Sequence, residues 1–108
     1  MFVEDGENLG GRSIMISEVA KQEEEAFKAQ VPIGSLFEHY KGKQYKVLAI
    51  ARSSEDLQLW VVYQSLYDSK DFGDHALWIR PLKFFVENVL VEGNEVPRFR
   101  LISEKPLG

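Results

Sequence analysis

After Pro32 the apolar residues leave helical spacing and begin to recur at every second position, the pattern of strands with one buried face. That change of period confines the rest of the chain to an antiparallel sheet domain. "SLFEHY" (35–40) turns at Lys41-Gly42-Lys43 into "QYKVLAIA" (44–51), in which Tyr45, Val47, Ala49 and Ala51 share one face. Gly42 supplies the positive dihedral that a tight hairpin turn needs. "SSED" (53–56) is a turn, "QLWVVYQSLY" (58–67) the most β-prone run and "DSKDFGDH" (68–75) a polar loop. "ALWIR" must end at Pro81, which has no N–H to donate, and "PLKFF" (81–85) suits one helical turn with the proline at its start. "VENVLV" and "VPRFRLI" flank the Glu92-Gly93-Asn94 turn as a second hairpin. Five or six short strands at this spacing predict a small barrel or roll. Its core is expected to hold Leu36, Tyr45, Val47, Ala49, Val61, Ile79, Leu82, Phe85, Val89 and Phe99.

What precedes the sheet has a different character. Residues 1–16 are glycine-rich and acidic and read as a flexible tail. Residues 17–30 read as a helix with Ser17 as N-cap, Glu18 in the favourable first turn and Val31-Pro32 as its stop. Its apolar stripe, Ile16, Val19, Ala20 and Phe27, is thin, so the helix is expected to dock on its own domain or on a second copy, giving a monomer or a homodimer. Residues 31–108 form the barrel domain. Residues 1–30 hold seven acids against three bases and carry the whole net charge of -4.

Four stretches give the chain a resemblance. "EHYKGKQYKVLAIARSSED", "VVYQSLY", "LWIRPLKFF" and "VEGNEVPRF", in this order, resemble the bacterial domain-of-unknown-function family 1653 over about residues 33–101. The resemblance implies an SH3-type β-barrel roll, so the fold expected is mainly β: an SH3-like barrel of five to six antiparallel strands with an N-terminal helix. Two positions depart from the family's usual residues: Glu38 stands where Arg is frequent, and Ser53 where His is frequent. A site built on that histidine as acid or base is missing here.

Elimination narrows the chemistry. There is no cysteine, and His39 and His75 are the only histidines, which is too few ligands for a zinc site. Counted from Asp68, a calcium loop would place Lys70, Phe72 and Ile79 where oxygen ligands belong. Phosphate-loop, dinucleotide and nucleophile-elbow motifs are absent, and no cofactor is implied. Ser53 and Ser54 are turn residues, His39 a partly buried structural residue and His75 a loop residue. No apolar run approaches the roughly 20 residues of a membrane helix, and a cytoplasmic setting is expected. An acidic chain is poorly suited to nucleic acid, which demands a basic surface.

Cations interleaved with aromatics are the remaining signal. In "LWIRP", Trp78 and Arg80 share one face and Leu77 and Ile79 the other; in "VPRFRLI", Arg98 and Arg100 oppose Phe99 and Leu101. With Ile79 and Phe99 inward, Trp78 and the arginines line an outer surface suited to a small anionic or nucleotide-like ligand, or to a protein segment. The candidate binding set is Tyr40, Arg52, Glu55, Tyr63, Trp78, Arg80 and Arg98. Two alternatives stand beside it: a small enzyme using His39, Glu55, Tyr63 and Arg80, and an architectural role in which Arg80 pairs with Glu55, Asp56 or Glu87.

Overall fold

The structure, a computed structural model, describes residues 18–104; the expected tail and Ser17 cap lie outside them. Helix α1 (Glu18–Ala29) leads into β1 (Leu36–His39), β2 (Gln44–Arg52) and β3 (Leu59–Ser65). A two-residue pair, β4 (Asp68–Ser69) and β5 (Gly73–Asp74), precedes β6 (Leu77–Pro81) and the single turn α2 (Leu82–Phe85). The last described elements are β7 (Asn88–Val91), β8 (Asn94–Pro97) and β9 (Phe99–Ser103). Five strands form one antiparallel sheet in the order β6-β3-β2-β1-β9, and β4/β5 and β7/β8 are separate ribbons.

The mainly β architecture and its N-terminal helix are those expected, but the sheets do not close into a hydrogen-bonded barrel: β6 and β9 are edges of the main sheet. Side chains fill the space between these edges. Pro81 ends β6 and starts α2, whose Leu82 and Phe85 are buried. Phe85 stacks on Phe99 at 4.2 Å and meets Phe37 and Tyr63 edge to face at 5.2 and 5.4 Å. One short helix thus joins β1, β3 and β9 through rings. Val31, Val47, Val61 and Leu82 complete the core around them.

Local chemistry sets the turns. Gly42, at φ 106°, closes the β1–β2 hairpin through His39 N to Lys43 O at 2.8 Å. Glu92 and Gly93 both take positive φ, as a two-residue turn twisted to match its strands requires, so β7 and β8 pair as expected. The second hairpin strand, however, stops at Pro97. Phe99 begins a new strand that pairs with β1: Arg98 N still donates to Glu87 O in the hairpin's register, while Arg98 O accepts from Tyr40 N at 2.9 Å and hands the chain to β1.

Two face assignments are corrected. In β2 the register slips between Val47 and Ala49, leaving Leu48 unpaired, and Ile50 joins the core in place of Ala49. In β6 the faces are the reverse of those expected. Tyr63 pairs with Trp78 and Val61 with Arg80, so Trp78 and Arg80 point inward while Leu77 and Ile79 are 63% and 64% exposed. Trp78 has more surface to bury than Ile79, and its indole N–H finds Ser65 Oγ at 2.7 Å, which makes burial of that polar end acceptable. Of the remaining expected core, Leu36, Tyr45 and Phe99 are buried or half-buried, and Val89 is half-buried in the β7–β8 ribbon.

Helix α1 lies against its own domain. None of its residues is fully buried and Val19 is largely exposed, but Phe27 packs on the core. Arg52 holds the helix by two 3.1 Å bonds to Glu24 and also donates to Leu57 O at 2.7 Å.

Candidate functional site

A cavity of about 330 Å³ opens on the inward face of the sheet where β3 meets β6. Tyr63, Trp78 and Arg80 line it from those two strands, His39 and Phe99 from the paired β1 and β9, and Tyr45 from β2. Tyr67, Ser69 and Phe72, in and around the β4–β5 ribbon, complete the wall. His39, Tyr63, Tyr67, Trp78, Arg80 and Phe99 come from four of the stretches that carry the family resemblance; segments distant in sequence converge here.

Its walls are rings set edge to face. Tyr45 lies 5.4 Å from Tyr63 and 5.7 Å from both Tyr67 and Phe99, and Phe72 lies 5.0 Å from Trp78. The Tyr45 and Tyr67 hydroxyls share a 2.8 Å hydrogen bond. Burial and that bond raise the Tyr45 hydroxyl above its ordinary range, and because two hydroxyls share one hydrogen bond, one hydroxyl proton remains to donate elsewhere.

Arg80 supplies the charge. Its Nε is buried and meets no acceptor, and among the described residues no carboxylate pairs with its guanidinium, which lies 5.9 Å from the Phe99 ring centroid. His39 stands beside it as a neutral group. Burial, and then the charges of Arg98, Lys41 and Arg80, depress its pKa below 6.5, and Lys41 N donates to Nδ1 at 3.1 Å, which puts the ring proton on Nε2. The site therefore offers one cation, neutral donors and aromatic walls.

Of the candidate set, Tyr63, Trp78 and Arg80 meet in the cavity; the remaining four do not line it. Tyr40 is outside, its ring 4.5 Å from that of His39. Arg52 is committed to Glu24, and Arg98 to Glu87 through two nitrogens at 3.0 and 3.2 Å. Glu55 sits in the β2–β3 turn, its N–H bonded to Ser53 Oγ, so the catalytic alternative keeps His39, Tyr63 and Arg80 but loses its acid. Nor does Arg80 take any of the three partners proposed for an architectural role, since Glu87 holds Arg98 and Asp56 accepts from Gln58 N. Sequence reasoning missed Tyr45, Tyr67, Ser69, Phe72 and Phe99 as site residues. The alternation in the sequence marks Tyr45 and Phe99 as core, and a polar loop gives no sign that Phe72 leans on Trp78.

A wider groove of about 540 Å³ separates the β1–β2 turn from the β7–β8 ribbon. Its Glu38 and Arg100 pair with each other, and Lys41, its other cation, lies 5.8 Å from the centroid of the exposed Tyr40 ring, so this groove holds no buried charge of the kind Arg80 presents. Among the described residues no three His, Asp or Glu side chains gather as a metal site, and no helix is long and apolar enough to cross a membrane.

The comparisons agree with this architecture. A solved structure of a DUF1653 protein from Bordetella bronchiseptica is similar at a TM-score of 0.58 and 28% identity, over 69% of this chain and 92% of that one. No curated protein matches the chain. The family profile described as a protein of unknown function, DUF1653, matches residues 35–101, from Ser35 just before β1 to Leu101 in β9, and the chain belongs to that family.

Proposed function

We propose that this protein is a binding module that takes a small anionic, ring-bearing ligand in the β3–β6 cavity, with Arg80 holding the anion. The observation that carries the reading is the isolation of Arg80. Arg52, Arg98 and Arg100 each have a carboxylate, whereas Arg80 has none among the described residues, although its Nε is fully buried. A half-buried guanidinium without a counter-charge is costly, and an anion arriving at its Nη groups would answer the charge that the fold leaves unpaired. Aromatic walls alone would suit a quaternary ammonium guest; the guanidinium among them reverses that preference.

Incubating the protein with a metabolite pool and examining it by native mass spectrometry tests the reading. Retention of an anion by the wild type and its loss in Arg80→Ala is the expected result. Conversion of a compound that disappears in His39→Ala would favour the catalytic alternative, since His39 shares the cavity with Arg80 and Tyr63.

A further inference from the structure

Resting on that reading, we infer that the guest is a flat aromatic or heteroaromatic monocarboxylate and not a phosphate ester. Three observations converge on this class. The first is charge. Arg80 is the one cation among the lining residues; the neighbouring Arg98 is spent on Glu87, and Lys41 does not line the cavity. Phosphate sites ordinarily gather several cations or backbone N–H groups from a glycine-rich loop or a helix N-terminus. No glycine lines this cavity, and the His39 N–H is already bonded to Lys43 O. A single guanidinium whose Nε is sealed leaves its two Nη groups to meet one carboxylate end on.

The second is shape. About 330 Å³ stands near the lower limit of small-molecule pockets, roughly 300 Å³, and its ring edges and faces favour a one- or two-ring planar body. The third is the spare proton of the Tyr45–Tyr67 hydroxyl pair, a neutral donor for a ring nitrogen or oxygen.

The two tryptophans permit a direct test on the full chain. Trp78 lines the cavity, whereas Trp60 lies next to the inward-facing Val61 in β3 and so points to the opposite face. Their indole N–H resonances can be followed by NMR during titration with benzoate, 1-naphthoate, cyclohexanecarboxylate, benzamide and phenyl phosphate. Saturable shifts of Trp78 but not Trp60 are expected with the two aromatic carboxylates, with binding about tenfold weaker for benzamide and cyclohexanecarboxylate. Arg80→Lys, which keeps the charge without the fork, should weaken benzoate by about tenfold as well. Tighter binding of phenyl phosphate than of benzoate, lost in Arg80→Lys, would overturn the carboxylate class and leave the anion pocket standing. No Trp78 shift with any of the five would defeat both. Because the wild-type series ranks the probes unaided, the inference stays testable even if an Arg80 variant fails to fold.

Discussion

The helix-covered part of the sheet and the β3–β6 cavity use the same residue types to opposite ends. Under the helices, Phe85 is 1% exposed between Phe37, Tyr63 and Phe99, and Arg52 is clasped by Glu24 and Leu57 O. At the cavity, Phe72 leans on Trp78 while 64% exposed, and among the described residues no carboxylate pairs with Arg80. Where rings and charges satisfy one another the result is architecture. Where a charge is left without a counter-charge among such rings, inside a concavity, the arrangement supports the binding role proposed above.

Breaking the packed region should have the largest effect. Phe85→Ala removes a ring that links three strands through α2 and should lower stability by about 3–5 kcal/mol, measured by chemical denaturation. A loss below 1 kcal/mol would mean that α2 does not seal the gap between the sheet edges. Next comes the cavity: Arg80→Ala should cost an anionic guest about 1.5–3 kcal/mol of binding, measured calorimetrically with whichever anion the wild type retains. Smaller again is Arg52→Ala. Its ion pair with Glu24 is partly exposed, so the fold should lose no more than about 1 kcal/mol, and hydrogen exchange should quicken in α1 before the sheet.

The pH response separates the regions further. His39 has a folded pKa below its ordinary 6.5, so the stability linked to its neutral form is complete above pH 6.5 and is lost as pH falls through the depressed value. An anion beside Arg80 would offset the surrounding cations and make protonation of His39 easier. Anion affinity should therefore rise as pH is lowered from 7 into that window, and His39→Gln should flatten the rise. An unchanged slope in that variant would remove His39 from the site.

Much of the sheet was legible because it depends on short-range rules. Gly42, Gly93 and Pro81 each mark a boundary through a backbone property that no neighbour can override, and the alternation in β3 follows from one face being buried. The faces of β2 and β6 were not legible for a different reason. The bulge at Leu48 appears only when two strands are paired, and counting along β2 carries no sign of it. In β6, Leu77 and Ile79 are more hydrophobic than Arg80, yet the pairing of Trp78 with Tyr63 and its bond to Ser65 decide the face. The same reversal moved the site. Four of its residues, His39, Tyr63, Trp78 and Arg80, are identifiable as types, but the cavity requires β1, β2, β3, β6 and β9 to bring their inward residues together, which no local pattern encodes.

An Arg80 kept for a guest would contribute nothing to the stability of the empty fold. The most direct test is the unfolding free energy of Arg80→Met without any ligand, since methionine retains much of the apolar stem and removes the charge together with the unpartnered Nε. Stability equal to or above that of the wild type is expected, because among the described residues Arg80 makes no ion pair to lose and the variant relieves a buried, unsatisfied donor. A loss of about 3–5 kcal/mol, the scale of a broken buried charged pair, would contradict it and make Arg80 part of the architecture.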